Sequence, residues 1–429
     1  MNLGIVKEDL QMKRFIIPLI TVVAVLGIIF AGCVPGAAPE APPVAPPEAP
    51  PEAPPVEEWP GVVVDEWKIP SLCGMTGPYA AIGMDITWCY EWAVDQVNAA
   101  GGVEGKPIVL ETHDDESEPT RAAAEISKVI DWALVVLGPW DGEPMRGAMP
   151  IAIEEGLYCM NDCAGVDFCV EYQPWALSML PRNEEFFPMG VKAWLKQEPD
   201  IEKICCICPE RADELRLSEA AMAGAEEMGV EVEWVEFPTD IVDFGAPAVK
   251  ALATEAQGFW FGGYPGACVK IFMEMKNRGA LQDNSKVCVG WHMDTPDWWE
   301  TAAGYMEGVY CINPLGVSED PGWLAFSEWK VETHDVEAFA WNAPEIDEVF
   351  LIKQCFEDLK ITGDPAKLEE ERIAIRDYMN NVEDFDGIVG TYSIVNGVAS
   401  GSVYLQRSED DMFVIIGKVD PEGNLLPLD

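Results

Sequence analysis

His113-Asp114-Asp115-Glu116 sets an imidazole beside three carboxylates, residue types that can hold a divalent metal. The same four residues fit a plainer role at a strand end running into a helix N-terminus, where acids complement the helix dipole. We favour the plainer role. His292 and His334 stand far from His113, and no HExxH, GxSxG or P-loop pattern occurs. An enzyme such as a metal-dependent hydrolase therefore lacks its usual nucleophile and ligand set, and no metal or cofactor is expected. Cys159, Cys163, Cys169, Cys205, Cys206 and Cys208 could be imagined as a cluster site. The run Ile204-Cys205-Cys206-Ile207-Cys208 reads more simply as a core strand with cysteines as small hydrophobes. Aromatic residues carry more. Trp140, Tyr264, Trp291, Trp298 and Trp299 fall in or beside predicted strand-end loops and suggest an aromatic-lined cleft, with packing at a lobe surface as the alternative for each.

Those loops depend on the elements around them. Short apolar runs alternate with amphipathic stretches from residue 62 onward. Strands are expected at 66–72, 108–112, 133–137 and 157–160, with helices between them at 80–100, 118–130 and 148–155. A second series follows, with strands at 203–208, 230–236, 258–261 and 287–290 and helices at 186–196, 218–228, 246–255 and 267–278. Two such series imply an α/β protein of two doubly wound, Rossmann-like lobes with mostly parallel sheets. Ligands in such sheets bind outside the carboxyl ends of the strands, so the useful loops are 74–83, 138–144, 161–165, 209–213, 262–267 and 290–298. The tail adds helices at 345–359 and 367–380. It also shows hairpin-like strands at 390–395 and 402–407 around Asn396-Gly397, and a last strand at 413–419. An attached output domain is not expected.

The balance of 27 basic against 75 acidic residues gives a formal net charge of −48. Such a surface repels phosphate backbones and anionic headgroups, which argues against nucleic acid as a partner and requires any membrane contact to go through an anchor. The N-terminus supplies a candidate. Met12-Lys13-Arg14 precedes an apolar run over residues 15–31, the pattern of an export signal, and Met12 is an alternative start. Phe30-Ala31-Gly32-Cys33 resembles the lipobox of bacterial lipoproteins, with Phe30 where that motif usually has Leu. This implies a signal over 1–33 and lipidation at Cys33. A transmembrane helix is the alternative, but the run is short of the ~20 residues a span needs. Residues 34–60 repeat Pro, Ala and Glu, which extends as a stiff spacer of about 3.1 Å per residue. An extracytoplasmic, lipid-anchored protein follows.

The stretch "TGPYAAIGMDITWCYEWAVDQVNAAGGVEGKPIVLETHDDESEPTRAAAEISKVI" resembles the opening of the branched-chain amino-acid type substrate-binding proteins of ABC importers. "VVLGPWDGEPMRGAMPIAIEEGLYCM", "FWFGGYPGACVKIFMEMKNRG", "GWHMDTPDWWETAAGYMEGVY", "NAPEIDEVFLIKQCFEDLK" and "FDGIVGTYSI" continue the likeness in order, over residues 62–429. The resemblance implies a type I periplasmic-binding fold, two lobes joined by a three-strand hinge. Lobe 1 would span 62–180 plus about 313–388, and lobe 2 would span 181–312 plus about 389–429. It implies a monomeric receptor that closes on a small molecule and delivers it to permease subunits. A sensor of the same fold, acting on a separate signalling partner, is the alternative.

Carried over residue by residue, the resemblance is incomplete. The hydroxyl that usually holds the ligand carboxylate after the third strand falls on Gly142. The next hydroxyl falls on Gly165, with Cys163 two before it. The acid that usually meets the ligand ammonium falls on Ala267. A buried ammonium without an acid is costly, so a carboxylate or an amide is expected rather than a branched-chain amino acid. Trp140, Tyr264 and Trp291 would supply apolar contacts, Asp141, Glu210 and Asp294 remain as polar partners, and Ile82 is a further ligand-binding candidate. A shift of one or two positions could let Glu210 or Asp294 restore an amino-acid ligand.

Overall fold

The computed structural model describes residues 61–77, 80–161, 170–263, 265–316, 320–388 and 390–428. The signal, Cys33 and the 34–60 spacer lie outside the described residues, as do Cys163, Gly165 and Tyr264. No described helix is long and apolar enough to cross a membrane.

The first five strands are β1 (Trp67–Cys73), β2 (Ile108–Asp114), β3 (Val135–Leu137), β4 (Tyr158–Asn161) and β5 (Ala176–Ser178). They pair in parallel in the order β2-β1-β3-β4-β5. The next five repeat the plan: β6 (Lys203–Pro209), β7 (Glu231–Phe237), β8 (Gly258–Phe261), β9 (Val287–Gly290) and β10 (Tyr310–Asn313). Their order is β7-β6-β8-β9-β10. Both sheets reverse strand order beside their first strand, which opens a crevice at the carboxyl edge. The expected pair of doubly wound lobes is present.

Local sequence explains the central strands. In β6 the run Ile204–Pro209 is buried throughout, because helices cover both faces of a parallel sheet. The ten described cysteines, including Cys205, Cys206 and Cys208, are buried and unbridged. Burial pushes the Cys159 and Cys205 thiols up to about 12, so both stay protonated. Helix Ala80–Ala99 buries residues on more than one face because it lies against both β1 and helix Asn342–Leu359.

The tail corrects the expected boundary at 388/389. Strands β11 (Asn381–Gly387), β12 (Gly390–Val395) and β13 (Val398–Ser400) all extend the first sheet. Asn396 and Gly397 both have positive φ, at 51° and 71°, and close a two-residue hairpin pairing Val395 with Val398. The turn falls where the dipeptide predicts, but its second strand is Val398–Ser400. β13 then pairs in parallel with β5, which ties the hairpin to the first lobe. The chain returns to the second sheet at β14 (Val403–Glu409), followed by β15 (Met412–Val419) and β16 (Leu425–Leu426). The chain therefore crosses between lobes after Ser178, after Asn313 and after Ser400. The crossings touch: a Cβ on Gly401 would lie 3.1 Å from the Pro181 ring and 3.6 Å from the Pro314 carbonyl oxygen.

Candidate functional site

A cleft of about 960 Å³ opens between the lobes, a size suited to a small organic ligand. Strand ends build it, as the topology requires. From the first lobe, the loop after β3 brings Trp140 and Asp141, and the start of helix Ala80–Ala99 brings Ile82, Asp85 and Trp88. Gly138 holds φ at +87°, and a Cβ there would collide with the Leu72 carbonyl, so glycine is needed to aim the loop. Trp140 is 3% exposed. Trp88 stacks on His334 at 3.9 Å with an interplanar angle of 12°.

The second lobe supplies a more polar wall. Arg211 and Glu214 follow β6, and Phe237 ends β7. Ala267 lies at the start of helix Pro265–Asn277, and Thr295 and Asp297 follow β9. Arg211 Nε sits 3.9 Å from Glu214 Oε2, a loose pairing. Thr295 is 8% exposed, and its Oγ1 has no hydrogen-bond partner among the described residues. A buried hydroxyl facing a cleft without a partner is one that a ligand can satisfy. Between the lobes, Val336, Phe339 and Trp341 complete the wall.

Ile82, Trp140, Asp141 and Ala267 thus come together in one cleft. Gly142 is buried at the start of helix Gly142–Glu154, behind Asp141, and is not part of the lining. Trp291 packs edge-on against Trp341 at 4.9 Å, behind the lining. Glu210 and Asp294 leave the expected set. Glu210 is exposed, because its neighbour Arg211 takes the inward direction at the strand end. Asp294 is buried away from the cleft, accepting from Trp299 Nε1 at 3.1 Å and Asn313 Nδ2 at 3.2 Å. Burial raises its carboxyl to about 7. Trp298 and Trp299 also leave the expected cleft. Trp298 is fully buried against Phe272, with ring centroids 5.5 Å apart, because helix Pro296–Thr301 turns it into the second-lobe core.

Sequence reasoning missed Arg211, Thr295, Trp88, Phe339 and Trp341. Arg211 and Thr295 stand one residue beyond the two acids it chose, inside the loops it did mark. The His113–Glu116 stretch does turn chemistry. His113 Nδ1 meets Glu125 Oε2 at 3.1 Å. Asp114 accepts from the Thr76 hydroxyl and from the Thr76 and Glu116 backbone N–H groups, and Asp115 accepts from the Ser117 N–H.

Comparison with known proteins decides the family. The periplasmic binding protein profile matches residues 66–411, most of the chain. The chain belongs to the periplasmic binding protein family. Among the curated relatives of this periplasmic binding protein is the Leu/Ile/Val-binding protein homolog 3 of Brucella melitensis. It is 23% identical over 346 residues, covering 79% of this chain and 90% of the relative. Among solved structures, the leucine-binding protein LivK of Thermotoga maritima superposes with a TM-score of 0.69 at 20% identity, covering 83% of this chain and 99% of that one. An ABC transporter solute-binding protein from R. palustris in complex with benzoate gives a TM-score of 0.68 at 17% identity, with 82% and 96% covered. The fold is the type I periplasmic-binding fold, and the protein is a solute-binding receptor of that family.

Proposed function

We propose that this periplasmic binding protein captures a small organic acid with an apolar or aromatic body and delivers it to an ABC permease. Cys33 and the 34–60 spacer would tether it outside the cytoplasmic membrane. One observation carries the ligand class: Arg211 is the sole basic side chain among the described residues lining the cleft. A guanidinium matches a carboxylate with two parallel hydrogen bonds, and Thr295 can add a third from the same lobe. Trp88, Trp140, Phe339 and Trp341 offer flat apolar faces to the rest of the ligand. Two structural neighbours were solved with benzoate and with 3,4-dihydroxybenzoic acid, which agrees with this chemistry.

A second reading, an amino acid, draws on Asp141, which lines the first-lobe wall and could meet an ammonium. Ala267 weighs against it, standing where the family resemblance implies an acid. Thermal melts of the folded part from Glu58 onward separate the two. The panel is benzoate, 3,4-dihydroxybenzoate, phenylpropionate, phenylalanine, leucine and isoleucine. A ligand at 100 times its Kd stabilises by about 2.7 kcal/mol, a shift of a few degrees. Shifts with the acids that lack an amine, and none with leucine or isoleucine, are expected. The reverse pattern replaces the acid reading with the amino-acid one.

A further inference from the structure

Helix Pro321–His334 carries a lysine whose side chain is completely buried at the edge of the cleft. Lys330 Nζ pairs with Asp85 Oδ1 at 2.5 Å. It also donates to Asn342 Oδ1 at 2.9 Å and to the Glu337 carbonyl at 3.2 Å. Those three contacts use all three donors of an ammonium. Asn342 in turn donates to the other oxygen of Asp85 and accepts the Phe339 N–H at 3.1 Å. The Phe339 ring centre lies 4.7 Å from Lys330 Nζ. One buried charge thus fastens residues 335–341 to two first-lobe helices.

That segment matters for two reasons. It puts Val336, Phe339 and Trp341 into the cleft. It also reaches the second lobe, where Trp341 meets Trp291 in the loop after β9. Phe339 packs against the cores of both lobes. A buried ion pair contributes little net stability, because desolvating two charges cancels most of their attraction. Its best use is to fix one geometry.

We propose that Lys330 is a specificity-determining positioning residue. It sets where Phe339 and Trp341 stand against the ligand, and holds Trp341 on Trp291. Ligand selection is thereby coupled to the way the lobes meet. The ligand half of this inference rests on the cleft being the binding site.

K330M alone strands the Asp85 carboxylate in the interior and is expected to unfold. The informative variant is D85L/K330M, which replaces both charges by apolar groups of similar size. Two tests on the full-length protein follow. The first needs no ligand: the circular-dichroism couplet of the Trp291–Trp341 pair, identified by its loss in W341F. D85L/K330M should fold cooperatively yet lose most of that couplet. The second is the affinity ratio between benzoate and phenylpropionate, two monoanions that the loss of the Asp85 carboxylate from the cleft wall affects alike. It should shrink by about tenfold or more as discrimination relaxes. A folded double variant that keeps both the couplet and the ratio overturns the proposal. If neither probe binds the unmodified protein, the ligand reading fails, and the couplet alone decides the role of Lys330.

Discussion

Replacing Arg211 by glutamine is expected to weaken the binding of an acid such as benzoate by about 100-fold or more. The guanidinium is the basic group facing the ligand from the described cleft lining, and glutamine offers a carboxylate at most one neutral donor. R211K should fall between the two, because a lysine keeps the charge and loses the two-pronged geometry. E214Q serves as the control. Glu214 lies 3.9 Å from the guanidinium and competes with an incoming acid, so its neutralisation should leave acid binding intact or tighten it. Isothermal titration on the three variants reads this directly. Unchanged affinity in R211Q, or a collapse in E214Q, would remove Arg211 from the ligand's surroundings. The net charge of −48 does not undercut this, since charges beyond about 8 Å are largely screened at physiological salt.

The second large effect concerns stability and depends on pH. Asp294 is buried in the second lobe, bonded to Asn313 at the end of β10 and to Gln406 of β14. Burial raises its carboxyl to about 7 in the folded protein. The folded state therefore holds a proton there that the unfolded chain releases near pH 4. Stability from this group is complete below about pH 4, falls as pH rises toward 7, and is level above, a span of about 4 kcal/mol at most. D294N cannot ionise and keeps an acceptor for Trp299. Urea unfolding at a series of pH values should show D294N gaining on the unmodified protein between pH 4 and 7. Parallel pH profiles for the two proteins would mean that Asp294 does not titrate in that window.

The fold was legible where packing is dictated by local pattern. A run such as Ile204–Cys208 has no polar face, and only a strand covered on both sides accommodates it. Asn396-Gly397 announced its turn through residues that tolerate positive φ. The hinge was harder. β5 has three residues, β10 four and β13 three, too few to show a period. What defines them is pairing with distant strands, as when Val398 meets Ser178. Hence the lobe boundary fell at 389 instead of after Ser400.

The cleft was legible at the level of loops and illegible at the level of single side chains. Loops 209–213 and 290–298 were marked correctly as strand ends. Which residue of a strand-end loop points inward depends on where the pleat stops, and a slip of one position reverses it. That slip separates Glu210 from Arg211, whereas the short 3-10 turn Trp291–Met293 after β9 sets Asp294 into the interior and Thr295 toward the cleft. Phe339 and Trp341 lie in no strand-end loop, and a buried lysine in a neighbouring helix fixes their place. Chain spacing alone carries no trace of that contact.

The central claim is that an acid lies between the lobes with its carboxylate on the second one. A crystal structure with the tightest acid of the panel tests it most directly. The expected result is carboxylate oxygens within hydrogen-bonding distance of the Arg211 guanidinium, with the ligand body between Trp88, Trp140 and Trp341. A carboxylate bound instead at the N-terminus of helix Gly142–Glu154, with Arg211 still turned to Glu214, would contradict it.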